Sequence, residues 1–157
     1  MNFEEAVRTA GVALGVEFTV ENGTCAFFAG DDDKNGVTIL MHEVAEHNIM
    51  LTTADLGELP LQGRERLYRA MLEANNIFMG TGGSTLSLEA ASDHVLLQRF
   101  DHLESFARQG AGQMVAGFIE TALSWRRIIR DFRPEAELEV SQETVLPPQF
   151  DQRFIKV

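Results

Sequence analysis

The sequence predicts an α+β fold, a five-stranded antiparallel sheet carrying three helices in the order α-β-β-β-α-β-β-α. Three observations predict it. Apolar residues recur at helical spacing in three separate stretches. Short runs rich in β-branched and aromatic residues stand between them. Asn-Gly and Gly-rich turn signals separate those runs. Strands grouped in this way point to an antiparallel sheet covered by helices.

The first helix is expected over residues 3–14. Phe3, Val7, Ala10 and Leu14 share one face, Asn2 can cap the start with Glu5 completing a capping box, and Gly15 stops it. Residues 24–29, 37–43 and 48–54 read as three strands, with Asn22-Gly23 and Asn35-Gly36 as hairpin turns because both residue types tolerate φ > 0. Residues 55–62 read as a connector. A second helix is expected over 63–78, with Leu67, Met71, Ala74 and Phe78 on one face, followed by a Gly-rich break at 80–83. Residues 85–89 and 94–100 make a hairpin. A single long last helix is expected from an Asp101 cap with Glu104 three residues on, carrying Leu103, Phe106, Met114, Phe118, Trp125, Ile129 and Phe132, until Pro134 ends it. Gly110, Gly112 and Gly117 within it suggest a close contact or a bend. The organisation expected is a single domain over 1–133 and an extended tail over 134–157.

At 157 residues the chain can bury enough surface to fold without a disulfide or metal. Its one cysteine, Cys25, can form no internal disulfide and fits a reducing compartment. The acidic start, Met1-Asn2-Phe3-Glu4-Glu5, is not expected to be a signal peptide, and no run approaches the length of a membrane span. The formal charge is −11, and residues 1–60 carry 11 acids against two bases, Arg8 and Lys34. That field disfavours nucleic acid and anionic lipid and favours basic or neutral partners.

Four segments imitate chemical motifs. His42 and His47 stand five apart in His42-Glu43-Val44-Ala45-Glu46-His47, where a zinc helix needs four, so neither a helix nor a strand brings them to one face. Asp31, Asp33 and Asn35 match the start of a calcium loop, but the twelfth position is His42 and strands flank it, so a solvated acidic turn is expected. Gly80-Thr81-Gly82-Gly83-Ser84 lacks the lysine of a phosphate loop. Cys25 reads as a buried strand cysteine. No catalytic constellation, cofactor or metal is expected.

The segment order, the acidity and several ordered strings resemble the class I type III secretion chaperones of the Tir chaperone family. The strings are Asn22-Gly23-Thr24-Cys25-Ala26-Phe27, Asp55-Leu56-Gly57-Glu58-Leu59-Pro60, Met71-Leu72-Glu73-Ala74-Asn75, and Gly82-Gly83-Ser84-Thr85-Leu86-Ser87-Leu88 leading to Val95-Leu96-Leu97. The resemblance covers residues 3–132. It implies a non-enzymatic homodimer in the bacterial cytoplasm that holds the N-terminal segment of a secreted effector extended and secretion-competent. The competing readings are a homodimeric adaptor or regulator on the same fold, and a small-molecule or calcium sensor.

The sequence offers Phe3, Val7, Phe27, Ile39, Met41 and Met50 as an apolar client site bordered by acids, against the alternative that all six are core. It offers Leu67, Tyr68, Met71, Leu72, Asn75 and Phe78 on the second helix as a dimer interface, because that helix carries more apolar surface than one small sheet needs. The tail holds Phe150, Phe154, Ile155 and Val157 with the bases Arg153 and Lys156. A disordered terminus and a strap packed on its own subunit are two readings of it, and a segment that occupies an apolar groove, its own or a neighbour's, when no client is bound is the third.

Overall fold

A computed structural model describes residues 1–134 and the short strand at 155–156. Phe150, Arg153, Phe154 and Val157 of the tail lie outside the described residues. Helix α1 spans Phe3–Leu14, and strands β1, β2 and β3 span Thr24–Ala29, Val37–Val44 and Ile49–Glu58. Helix α2 spans Arg64–Asn75, β4 Thr85–Glu89, β5 His94–His102, α3 Leu103–Gln109, α4 Ala111–Arg130 and β6 Ile155–Lys156. The strands form one antiparallel sheet in the order β4-β5-β3-β2-β1-β6. The five expected strands make its body, and β6 adds to the β1 edge. Among the described residues, no helix is long and apolar enough to cross a membrane.

Local chemistry accounts for the element ends. The Asn2 side chain accepts from the Glu5 N–H at 2.8 Å, and Gly15 closes α1 in the left-handed region at φ 67°. Asn22 and Gly23 adopt φ 50° and 70°, the turn their types predict. The β1–β2 turn is built differently from the expected Asn35-Gly36 hairpin. Asp32 accepts from the backbone N–H groups of Lys34 and Asn35 at 3.0 and 2.8 Å, and these bonds, that of Asn35 first, hold its carboxyl below the usual range.

Three boundaries differ from the sequence reading. Strand β3 runs on through the expected connector to Glu58, because a bulge between Asp55 and Gly57 absorbs the glycine at φ 98° and re-registers the strand on β5. The expected second helix ends at Asn75, after which Ile77 leaves the helical region. The single last helix is two. Asp101 lies in β5 rather than at a cap, its carboxylate 2.6 Å from the Arg99 guanidinium, and Gly110 at φ 87° separates α3 from α4.

Helices α1 and α4 cover one face of the sheet. They approach so closely that a Cβ on Gly112 would lie 2.4 Å from the Ala13 Cβ, which explains a glycine in a helix interior. Cys25, Phe27 and Ala29 of β1, Val37, Ile39 and Met41 of β2, Met50, Ala54 and Leu56 of β3, and Val95 and Leu97 of β5 point inward under Phe3, Val7, Phe118, Ile119 and Trp125. The Trp125 indole N–H donates to the Gly80 carbonyl at 2.8 Å, which ties α4 to the Gly-rich loop. Arg126 of α4 donates to the Leu56 carbonyl at 2.8 Å beside the bulge.

The six residues offered as a client site are therefore the centre of this core. Phe3, Val7, Phe27, Ile39, Met41 and Met50 are all 4% exposed or less, so they form no open patch in the folded chain. Met50→Ala is expected to cost about 2–5 kcal/mol in chemical denaturation. Met50→Glu, which buries a charge without a partner, is expected to abolish the cooperative transition. A soluble, fully folded Met50→Glu protein would contradict this placement.

Beside the bulge, the His94 ring lies 2.9 Å from the Asp55 carboxylate and 3.8 Å from that of Glu58. The hydrogen bond to Asp55 is the main reason the imidazole pKa is raised above its ordinary 6.5. A group raised on folding contributes stability that is fully present below its unfolded value and lost as pH rises through the folded one. His94→Gln is accordingly expected to lower stability by a few tenths of a kcal/mol, roughly 0.3–1, near pH 6 and by less near pH 8.5. An equal loss at both pH values in thermal melts would refute the ion pair.

Candidate functional site

The pleat that buries one side chain exposes the next. On the face opposite α1 and α4, the outward parity places Ala26 beside Leu40, Leu40 beside Thr53, and Thr53 beside Gln98. A second row sets His42 beside Leu51 and Leu51 beside Phe100. Phe100 is 65% exposed and Leu40 43%, while Phe28, Ile49, Leu51 and Leu96 are half-buried. An antiparallel sheet with one solvated face ordinarily alternates apolar inward with polar outward. Here Leu40, Leu51, Leu96 and Phe100 put large apolar side chains on the outward parity of β2, β3 and β5 as well, among His42, Thr53 and Gln98. Polar groups border the rows: Thr24 Oγ1 lies 3.0 Å from His42 Nδ1, and the Ser87 hydroxyl donates to Gln98 at 2.8 Å. An open apolar face of this kind can hold an extended or amphipathic segment of another chain.

A second apolar surface lies on α2 and the turn after it. Of the residues offered as a dimer interface, Leu67 and Met71 are buried in the chain's own core. Asn75 is spent internally: its amide donates to the Leu86 carbonyl at 3.0 Å, and its oxygen accepts from the Leu86 N–H at 2.8 Å. Tyr68, Leu72 and Phe78 remain. Tyr68 and Leu72 line an open groove of about 740 Å³ with Glu65, Arg69, Glu73 and Asn76. Beyond it Ile77, Phe78 and Met79 are all exposed. Ile77 and Phe78 adopt φ 50° and 58°, a region that costs a β-branched or bulky residue energy. Three exposed apolar side chains thus stand on a strained turn. The sequence signals the helix but not this turn, because nothing in Ile77-Phe78 foretells positive φ.

The imitated motifs do not assemble. His42 lies on β2 and His47 in the turn before β3, both exposed. Among the described residues, no group of three His, Cys, Asp or Glu side chains is placed to hold a metal ion. Cys25 is buried on β1, and burial pushes its thiol up to about 11, so it is protonated at neutral pH and a poor nucleophile. Thr81 and Ser84 close the Gly-rich loop on themselves, the Thr81 hydroxyl donating to the Ser84 carbonyl at 2.5 Å.

The sequence matches the profile of the Tir chaperone protein (CesT) family over residues 6–126. No curated protein matches it significantly. Two solved structures share the fold. A chain of the HopA1–SchA chaperone–effector complex superposes with a TM-score of 0.61 at 14% identity, covering 83% of this chain and 94% of that one. A chain of the ExsC–ExsE complex superposes with a TM-score of 0.60, also at 14% identity, covering 82% of this chain and 97% of that one.

Proposed function

The chain belongs to the Tir chaperone protein (CesT) family, and on that premise we propose that it is a cytoplasmic type III secretion chaperone that binds the N-terminal segment of an effector and keeps it secretion-competent. The observation that carries this reading is the family match across residues 6–126 on a sheet whose outward face is apolar and open. A fold shared with a chain from a chaperone–effector complex supports it. The work is binding alone, with no bond made or broken, no cofactor and no metal. Residues 1–133 form the binding unit and the tail from 134 is an appendage to it.

The client site in this reading is the outward parity of the sheet rather than the inward one, centred on Ala26, Leu40, Leu51 and Phe100. An effector segment laid there buries its own apolar side chains against these rows. The acidic excess of residues 1–60 draws in and orients a segment that also carries bases. Removing the chain from a bacterium that carries it is expected to deplete one effector from the secreted fraction and leave the others. An unchanged secretion profile would overturn the assignment. Leu40→Asp with Phe100→Asp is expected to keep the melting transition, since both positions are exposed, and to weaken binding of that effector at least about tenfold. Full affinity in this double variant would move the client elsewhere.

The α2 groove and the Ile77–Met79 turn form the homodimer contact in the same reading. They are apolar, contiguous in sequence and strained in a way a partner surface can offset. Light scattering at micromolar concentration is expected to give twice 17.5 kDa. Leu72→Glu with Phe78→Glu is expected to give the single mass with the fold intact. A monomeric parent protein would refute the contact.

A further inference from the structure

A sheet has two edges, and each unpaired edge is a template for another strand. This chain closes both with its own groups. On β4 the carboxamide of Asn75 bonds both the N–H and the C=O of Leu86, as a neighbouring strand would. On β1, strand β6 pairs Phe28 with Lys156 and Ala29 with Ile155. The two closures differ in kind. Asn75 is carried by α2, whose Leu67, Met71 and Ala74 are core, so that edge cannot open without unpacking a helix. Strand β6 engages two of the six residues of β1 and can leave with the rest of the core intact.

The geometry favours closure within one chain. The Arg130 guanidinium at the end of α4 donates to the Asn35 carboxamide in the β1–β2 turn. Ala29, the last residue of β1, lies at the same end of the sheet. The segment after α4 thus starts near the place to which β6 returns, and closing such a loop costs little. Ile155 stands opposite Ala29, whose side chain is buried, and Lys156 opposite Phe28, on the outward parity. A segment that fits this edge alternates an apolar residue with a basic one, beside a strongly acidic N-terminal region.

We propose that β6 is a resident occupant of the β1 edge, and that this edge accepts an extended apolar–basic segment of another chain only when β6 has left it. The tail then sets a threshold: a tethered segment competes at high local concentration, so only a segment that pairs over more of β1 displaces it. That the incoming strand is an effector's rests on the chaperone reading; that β6 masks the edge does not.

The test uses the full chain and no effector, so its failure and the failure of the chaperone reading are separable. The probe is a fluorescent peptide of residues 150–157. It is expected to bind Ile155→Pro/Lys156→Pro, whose prolines cannot donate to the ladder, at least about tenfold more tightly than the parent chain. Equal affinity for the two, or binding to neither, would overturn the proposal. As a second arm, Phe28→Cys with Lys156→Cys places two thiols at directly paired positions, and buried Cys25 does not compete. The oxidised protein is expected to exclude the peptide and run as a single chain on a non-reducing gel, and the reduced protein to admit it. Peptide binding to the oxidised form, or cross-linking between chains instead of within one, would refute masking of the edge by the chain's own tail.

Discussion

Helix α4 lies across the inward face of the sheet, pressed against α1 so tightly that Gly112 has no room for a side chain beside Ala13. That contact fixes the rest. Once α1 and α4 occupy one face, every strand must present its inward parity to them, and the pleat decides which residues are left outside. The same helix holds the two irregular parts of the sheet. Trp125 bonds the Gly80 carbonyl and so anchors the loop into β4, while Arg126 bonds the Leu56 carbonyl at the bulge of β3. A Cβ on Gly57 would lie 2.0 Å from the Arg126 guanidinium, so the bulge, its positive φ and the arginine are one arrangement.

Much of this was legible in the sequence. The bounds of α1, β1 and β4 follow from capping residues and turn dipeptides, whose chemistry is local. The bulge was not legible, because Asp55-Leu56-Gly57-Glu58 reads as turn chemistry until α4 supplies a partner for the kink. At Gly110 the glycine signalled a bend, and the full break was hidden because the apolar stripe runs on in phase from Phe106 to Met114. Whether the six residues offered as a client site face the core could not be read from the sequence, for a physical reason. Ile39-Leu40-Met41 and Val95-Leu96-Leu97 are apolar at consecutive positions, so alternation, the one signal that separates the two faces, is absent.

That absence carries meaning of its own. Runs apolar on both parities belong to sheets covered on both faces, whereas this sheet has its helices on one. Leu40 and Phe100 stand exposed on the other face, with Leu51 and Leu96 half-buried beside them. The Ile77–Met79 turn repeats the pattern on a smaller scale, with side chains suited to burial held outside at a cost in backbone strain. Both surfaces suit a protein that offers apolar side chains to other chains outside its own closed core.

Such a protein must also remain soluble before those chains arrive. An apolar face bounded by free strand edges is an aggregation template, and charge alone protects it only at long range. The closures at Leu86 and at Phe28–Ala29 answer that problem at short range, by satisfying edge hydrogen bonds rather than by repulsion. They are not equivalent. Asn75 is fixed to a packed helix and holds the β4 edge at Leu86, so a strand added there would have to displace α2. The β1 edge carries a two-residue strand that can be exchanged, and it lies next to the strand that bears Ala26 and Phe28 on the open face. An incoming segment that replaces β6 would therefore continue the sheet and reach the apolar rows at once. Edge and face are then two parts of one receptive surface, and the helix-borne contact at Leu86 makes the far edge the harder one to open.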